Sequence, residues 1–345
     1  MFEIGLRRNK MGKIIDCIMF NNELELLKFR INSLAMYVDL FIVCESKKTF
    51  TNNTKKLIFT EFFKSESNQF SSELKNKITI LTIDDFESLS TPWQNEEFQR
   101  NYPGNYLIDK NIIGCEDLVL SMDVDEIPSP KTLNYLKENS SNLENLSSIS
   151  MWLAYFYPNY IKVAGDESEW TGPYALKAIG LHKNCLHQYR LSVKKKDAKL
   201  NNQFLRYGGW HWSYQGDEEF YKTKLESFSH QEKTIQKNKI IDIAEIIKRR
   251  VSPFDGGGKP QWAFLSEEQL QIPSDWMDSL FLKNFIRDYD NFRKIIIILK
   301  DENKKNNKLI KLFKIIIKKI INLLLKICFT MITIGKNVSF SSKRN

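Results

Sequence analysis

Three carboxylates lie within four residues in the stretch V-L-S-M-D-V-D-E-I-P-S-P at 119–130, directly after an apolar run. On an extended strand Asp123 and Asp125 point to one face, and Val124 points to the other. Carboxylate oxygens suit Mg²⁺ and Mn²⁺, which complete their coordination with water and substrate phosphates. The pattern therefore predicts a divalent-cation site. The alternative is a solvated acidic turn before the next helix, whose N-terminal dipole favours negative charge.

The segments around this cluster alternate between short apolar runs and helical patterns. We predict strands at 14–20, 40–44, 78–83, 118–122, 149–157 and 174–180, and helices at 24–34, 96–113 and 130–138. The second helix is expected to break at Pro103-Gly104. Such alternation predicts an α/β fold with a largely parallel sheet, in which ligands bind beyond the carboxyl ends of the strands. The acidic cluster lies at such an end, so it is a candidate site.

Composition and charge restrict the class of protein. The chain has 345 residues, of which 42% are hydrophobic and 12% aromatic, as in a globular protein. The net charge is +9, but residues 295–345 carry +10 and the remainder carries −1. A neutral body argues against nucleic acid as a partner. Five widely spaced cysteines without a C-x-x-C pair, and no signal-peptide or membrane-spanning pattern, predict a cytoplasmic protein with reduced thiols.

The C-terminal region is distinct from the rest. We divide the chain into a catalytic region at 13–294 and a basic tail at 295–345. The segment 309–329 places lysines on one stripe of a helix that is otherwise Ile, Leu and Phe. Such an amphipathic helix predicts peripheral attachment to an anionic membrane surface. The alternative is a helix that docks on the catalytic region.

Three kinds of site share the D-x-D spacing. An EF-hand loop is excluded because Pro128 occupies the sixth position, where that loop needs glycine. A haloacid-dehalogenase-type phosphatase and a nucleotide-sugar glycosyltransferase both place D-x-D after a buried strand. The motif alone leaves these two enzymes open, together with a catalytically inactive saccharide-binding module attached to the membrane.

Longer segments resemble glycosyltransferase family 17, which includes the β-1,4-N-acetylglucosaminyltransferase that adds the bisecting residue to N-glycans. The matching segments, in order, are I-I-D-C-I-M-F-N-N-E-L-E-L-L-K-F-R at 14–30, V-D-L-F-I-V-C-E-S at 38–46, M-D-V-D-E-I-P at 122–128, G-G-W-H-W-S-Y at 208–214 and I-P-S-D-W at 272–276. The resemblance implies a GT-A-type, Rossmann-like domain, Mn²⁺ or Mg²⁺ as cofactor, and inversion at the anomeric carbon. It also implies a UDP-sugar donor, with N-acetylglucosamine as the transferred sugar. Animal members carry an N-terminal anchor that this sequence lacks, so we expect a glycan or lipid-linked saccharide as acceptor rather than a Golgi N-glycan.

The resemblance also implies roles for individual residues. Asp125 is the first candidate for a metal ligand, Asp123 the second, and His211 a third that instead could be a core histidine. The candidate substrate contacts are Asn21, Glu23, Glu45, Arg100, Asn101, Glu126, Trp210 and Trp212. For the two tryptophans the alternative is packing in the core; for Glu23 it is helix capping, and for Glu45 a surface turn. Arg30 is expected only to pair across a helix face.

An inverting transferase needs a carboxylate that deprotonates the acceptor hydroxyl. Glu169 and Asp217 are the candidates, and Glu167 is a third of similar weight. Each of them could equally be ordinary charge on a solvated loop. The sequence leaves the base unassigned.

Overall fold

The described part of the chain is a mixed α/β fold with two β-sheets. The computed structural model describes residues 12–86, 91–165, 168–195, 202–215, 224, 243–252 and 260–284. The helices are α1 Leu24–Leu34, α2 Ile58–Ser65, α3 Ser72–Asn76, α4 Pro92–Asp109, α5 Pro130–Glu138, α6 Leu186–Lys194, α7 Ile243–Arg249 and α8 Glu267–Leu270. The predicted tail at 295–345 lies outside the described residues, so its helix and its separation from the catalytic region stay predictions.

The first sheet has seven strands and contains the predicted parallel core. Its strands are β1 Ile14–Phe20, β2 Leu40–Ser46, β3 Ile78–Ile83, β4 Leu118–Asp123, β6 Leu146–Ile149, β10 Tyr174–Lys177 and β11 Asn202–Leu205. Their order is β3-β2-β1-β4-β10-β6-β11, and β3, β2, β1 and β4 run parallel. The order of these four is that of a Rossmann-like half, whose ligand crevice lies beyond the strands' carboxyl ends. The antiparallel β10 ends the parallel part.

The sequence did not predict a second sheet, whose strands are interleaved along the chain with those of the first. Its strands are β5 Glu126–Pro128, β7 Met151–Tyr155, β8 Tyr160–Lys162, β9 Glu169–Trp170, β12 Gly209–Ser213 and β13 Trp262–Phe264. The order is β13-β8-β7-β12-β5, and β9 pairs with β7. The single strand predicted at 149–157 is therefore wrong. It is divided at Ser150 between β6 in the first sheet and β7 in the second.

Helix α4 differs from its prediction. It begins at Pro92 with a Thr91–Gln94 capping box and continues through Pro103 to Asp109. The break expected at Pro103-Gly104 is wrong because tertiary packing offsets the lost hydrogen bond: Pro103 and Leu107 are buried. A Cβ on Gly104 would lie 2.9 Å from Leu186 Cδ1, so the glycine allows α4 to approach α6 closely.

Each sheet contributes to its own apolar core. Ile15, Ile42 and Val119 of the first sheet pack with Leu107 of α4 and Leu186 of α6. The second core is aromatic and includes Tyr160, Trp262 and Phe264. Cys17, Cys44 and Cys185 are free thiols that are buried, and Cys115 is a free thiol that is exposed. Across the described segments, every helix is too short or too polar to span a lipid bilayer.

Candidate active site

The acidic cluster forms the crossover between the two sheets. Asp123 is the last residue of β4, Val124 and Asp125 form a turn, and Glu126 begins β5. Glu126 pairs with His211 of β12, so the crossover brings the two predicted segments together. The expectation that both aspartates lie on one strand is wrong, because the strand ends at Asp123. The crossover stands at the carboxyl end of the parallel strands, where the ligand crevice was predicted.

Arg30 of α1 holds the crossover in place through its backbone carbonyls. Its guanidinium is fully buried and binds both carboxylate oxygens of Asp16 on β1, at 2.8 and 2.9 Å. Its Nη1 donates to the carbonyl oxygens of Asp123 and Glu126, each at 2.8 Å, and to that of Val124 at 3.3 Å. The expectation that Arg30 pairs only across a helix face is wrong. It positions the turn that carries Asp125.

Two arginines neutralise the outer carboxylates of the crossover. Asp123 accepts from Arg100 Nη2 at 2.8 Å and from Arg190 Nη2 at 2.7 Å. Burial by itself would raise the pKa of Asp123, but Arg100 and Arg190 outweigh it and hold this pKa well below its usual range. Glu126 is fully buried, binds Arg190 through both oxygens at 2.7 and 2.8 Å, and accepts from Trp170 Nε1 at 2.6 Å. Glu126 therefore positions Arg190 and Trp170, and these partners occupy both of the oxygens that were expected to contact substrate.

Asp125 faces a different set of groups. Its Oδ1 lies 3.4 Å from His211 Nε2, and its Oδ2 lies 2.7 Å from Lys224 Nζ. The same ammonium lies 3.1 Å from Glu23 Oε1, so two carboxylates share one cation. Burial by itself would raise the pKa of Asp125, but Lys224 and His211 hold it well below its usual range. Asp125 is thus an ionised carboxylate beside an imidazole.

A second lysine approaches the crossover from α6. Lys194 Nζ lies 5.4 Å from the centroid of the Trp170 ring, and that ring stacks on His211 with centroids 4.2 Å apart. Burial, together with Arg190 and Arg100, lowers the pKa of Lys194 from 10.5 to about 8, against the opposing effects of Asp123 and Glu96. Within the described residues no carboxylate or carbonyl lies within hydrogen-bonding or ion-pairing distance of this ammonium.

The loop after β1 lines a cleft next to Asp125. This cleft has a volume of about 290 Å³, and its walls include Asn22, Glu23, Trp212, Lys224 and Phe281. The side-chain oxygen of Asn22 and that of Gln215, another lining residue, are buried without a hydrogen-bond donor in the described segments. Glu23 precedes α1 but makes no side-chain cap, so its carboxylate serves the cleft rather than the helix. The structure thus brings Glu23 and Asp125 together, and Asn21 contributes its carbonyl to Lys55 Nζ.

Two predicted substrate contacts have other partners. Glu45 is fully buried and accepts hydrogen bonds from the backbone N–H of Phe59 and Thr60 and from the Thr60 hydroxyl. It therefore caps α2, and both the nucleotide contact and the surface turn expected for it are wrong. Asn101 accepts from the backbone N–H of His187, which joins α4 to α6. Arg100, by contrast, does reach the crossover through Asp123.

Both tryptophans of β12 belong to the core. Trp210 and Trp212 are 1% and 0% exposed, and their rings stack on each other with centroids 5.4 Å apart. Their indole N–H groups donate to the carbonyls of Leu270 and Pro158. The packing alternative therefore describes both residues, and only an edge of Trp212 borders the cleft.

Of the base candidates, the structure describes Glu169, which does not reach the crossover. Glu169 binds Arg206 and the Ser150 hydroxyl, whereas the adjacent Trp170 reaches Glu126. Successive residues of a strand point to opposite faces, so Glu169 faces away from the site. Asp217 and Glu167 lie outside the described residues. The identity of the base stays a prediction.

A divalent cation fits this site through few protein ligands. In the segments that the structure describes, no three Asp, Glu, His or Cys side chains form a metal-binding group. Both Asp123 oxygens accept from arginines, which leaves Asp125 as the better ligand of the pair. Among the described residues, His211 Nδ1 is buried without a partner, and the ammonium at Asp125 and Glu23 shows that a cation is accommodated there. Mg²⁺ and Mn²⁺ usually bind one or two protein groups plus substrate phosphates, so this donor set is compatible with them.

Sequence reasoning found Arg100 but missed Lys224 and Arg190, because they are remote from the acidic cluster in the sequence. Lys224 is separated from Asp125 by 99 positions and Arg190 from Glu126 by 64. Neither belongs to a recognisable motif. Arg30 lies inside a matching segment, and its position on a buried helix face was the one available signal.

A family model described as Glycosyltransferase family 17 matches residues 4–252. Two curated relatives, from Rattus norvegicus and Homo sapiens, are β-1,4-mannosyl-glycoprotein 4-β-N-acetylglucosaminyltransferases. Each is 25% identical over 128 residues, which is 36% of this chain and 23% or 24% of the relative, so the match spans about a quarter of the relatives' length.

Solved structures with some similarity are also known. A 4-diphosphocytidyl-2C-methyl-D-erythritol synthase from Anaerococcus prevotii has a TM-score of 0.36 at 10% identity, covering 61% of this chain and 93% of its own. A protein from Bacillus anthracis that is described as a glucose-1-phosphate thymidylyltransferase has a TM-score of 0.30 at 10% identity. The match covers 56% of this chain and 85% of that protein. These likenesses are too weak to support an inference.

Proposed function

The chain belongs to glycosyltransferase family 17, and we propose that it is a metal-dependent, inverting glycosyltransferase of GT-A type. In this proposal it moves a sugar, with N-acetylglucosamine as the first candidate, from a UDP-sugar to a glycan or lipid-linked saccharide. The family assignment decides against the phosphatase that the D-x-D spacing left open. One observation carries the proposal: Asp125 and Glu23 converge on a single cation beside His211, at the carboxyl end of a Rossmann-like sheet.

The residues divide into those for the cation and those for the nucleotide. Asp125 is the proposed ligand for Mn²⁺ or Mg²⁺, and His211 lies beside it. Asp123 is the weaker candidate because both of its oxygens accept hydrogen bonds from arginines. The bound cation would offset the diphosphate charge as a Lewis acid while the glycosidic bond breaks. The cleft supports the nucleotide assignment, because the free acceptor oxygens of Asn22 and Gln215 suit the N3–H donor of a uracil ring.

A screen of UDP-sugars tests this proposal. UDP release should require Mn²⁺ or Mg²⁺ and should fall at least about a hundredfold in Asp125→Asn, as expected when a transition-state electrostatic contact is lost. The matched control is Asp84→Asn: Asp84 directly follows β3 at the same sheet edge, but its side chain is 79% exposed. Asp84→Asn should keep full activity. Full activity in Asp125→Asn would refute the assignment.

An inactive saccharide-binding module is the competing function. It predicts saccharide binding without metal-dependent binding of UDP, which calorimetry with UDP and Mn²⁺ distinguishes.

We also propose that the basic segment 309–329 attaches the enzyme to an anionic surface at the cytoplasmic side of a membrane, where lipid-linked acceptors would be reachable. The support is the charge and apolar pattern of the sequence. The full chain should sediment with phosphatidylserine-containing vesicles at low salt and not with phosphatidylcholine vesicles. Equal binding to both would contradict an electrostatic attachment.

A further inference from the structure

Lys194 is a half-buried cation beside the candidate active site, and its ammonium has no hydrogen-bond acceptor among the described residues. It is the last residue of α6, and in the described segments its ammonium contacts only the Trp170 ring, 5.4 Å from the centroid. The other lysine of the site, Lys224, binds two carboxylates. A largely desolvated ammonium without a hydrogen-bond acceptor is costly, so its position calls for an explanation.

Its surroundings increase that cost. Arg190 lies one helical turn earlier on α6, and both side chains run past the backbone of Gly172. A Cβ on Gly172 would lie 3.2 Å from Lys194 Cε and from Arg190 Cζ, so the glycine leaves the space that the two cations occupy. The two positive charges of Arg190 and Lys194 therefore lie near each other and repel. A purely structural residue here would be better served by an uncharged side chain.

Several N–H donors around Lys194 are also unused. Arg190 Nε and the Nε and Nη1 atoms of Arg100 are buried and have no acceptor in the described part of the chain. The Nη2 atoms of both arginines bind Asp123, whose side chain is 29% exposed. A cation-rich group with spare donors beside a partly open carboxylate is suited to an anion that carries several oxygens.

We propose that Lys194 binds the diphosphate of the sugar donor and stabilises the nucleoside diphosphate leaving group. This inference rests on the proposed function. In the reaction, the bond between the anomeric carbon and the diphosphate oxygen breaks, and its electron pair stays on that oxygen. The acceptor oxygen forms the new bond and gives its proton to the base. Lys194 donates hydrogen bonds to the phosphate oxygens as their charge grows.

Calorimetric titration of the full chain with UDP, UMP and uridine in the presence of Mn²⁺ tests the proposal. Lys194→Gln should weaken UDP binding at least about tenfold, a loss of about 1.4 kcal/mol, and should leave uridine binding unchanged. Lys195→Gln is the matched control, because Lys195 is the adjacent lysine and is exposed. It should bind all three ligands as the wild type does.

A second measurement on the unaltered protein removes any dependence on the folding of the variant. Acetic anhydride should acetylate both Lys194 and Lys195, and saturating UDP should protect Lys194 alone when the peptides are analysed by mass spectrometry. Wild-type UDP affinity in folded Lys194→Gln, or no protection of Lys194 by bound UDP, would overturn this inference and leave the proposed function standing. Failure of the wild type to bind UDP at all would overturn both.

Discussion

Substitution of Arg30 should separate the stability of the fold from the positioning of the site. Arg30→Met leaves the buried Asp16 carboxylate without its partner and removes the donor to three carbonyls of the crossover. Loss of one partner of a buried ion pair costs about 3–5 kcal/mol. Whole domains are stable by about 5–15 kcal/mol, so the single variant should lose a large fraction of the stability of the fold. Urea unfolding measures the change in the free energy of unfolding.

A double variant then isolates the carbonyl contacts. In Asp16→Leu/Arg30→Met the buried charge is gone, and replacing a buried ion pair with apolar side chains is often neutral or stabilising. We therefore expect most of the stability to return. The crossover carbonyls still lack their donor, so UDP affinity should stay at least about tenfold below the wild type, or about 1.4 kcal/mol.

The control lies on the same helix. Lys28 forms a more exposed ion pair with Glu25, and such pairs contribute about 0–1 kcal/mol. Lys28→Met should therefore unfold close to the wild-type midpoint. The reasoning is refuted if Arg30→Met costs less than about 1 kcal/mol, or if the double variant binds UDP as the wild type does.

Three further predictions concern the charges around the crossover. Lys194→Gln should unfold at higher urea than the wild type at pH 7, because the folded ammonium has a pKa of about 8 against 10.5, and its charged form is therefore destabilising. Between pH 8 and 10.5 the folded wild type has lost this proton while the unfolded chain still holds it, so the stability of the wild type should rise and the gap between the two urea midpoints should narrow. An equal or lower midpoint for Lys194→Gln at pH 7 would contradict this prediction. Lys224→Gln removes a cation that competes at Asp125, so Mn²⁺ measured by electron paramagnetic resonance without nucleotide should bind about tenfold more tightly; weaker binding would argue against a shared position. Glu169→Gln should keep transferase activity within about threefold, because this carboxylate binds Arg206 on the far face of β9, and a loss above a hundredfold would restore it as the base.

Short-range sequence patterns predicted the strands and helices whose formation is determined by residues close together in the sequence. The apolar runs of β1 and β3 and the proline-started helix α5 match the structure residue for residue. The second sheet could not be predicted, because its strands have two to five residues and pair with strands far along the chain. Helix α4 shows the same limit: the local effect of Pro103 favours a break, and burial against distant elements overrides it.

The candidate site shows a corresponding division. Its carboxylates were predictable because Asp123 and Asp125 follow an apolar strand within one short motif. Arg190 and Lys224 were not predictable, because the tertiary fold brings them to these carboxylates from distant parts of the sequence. Glu45 was misassigned for a related reason: an acidic residue at a strand end can serve a ligand or cap the next helix, and only the fold distinguishes the two.

The most direct measurement is UDP binding by calorimetry, with and without Mn²⁺, in the wild type and in Asp125→Asn. The account predicts that Mn²⁺ tightens binding of UDP to the wild type and has little effect on the variant, because Asp125 is the proposed ligand of that cation. Asp84→Asn should behave as the wild type. If Asp125→Asn binds UDP as tightly as the wild type and responds to Mn²⁺ in the same way, the crossover is not the cation and nucleotide-sugar site.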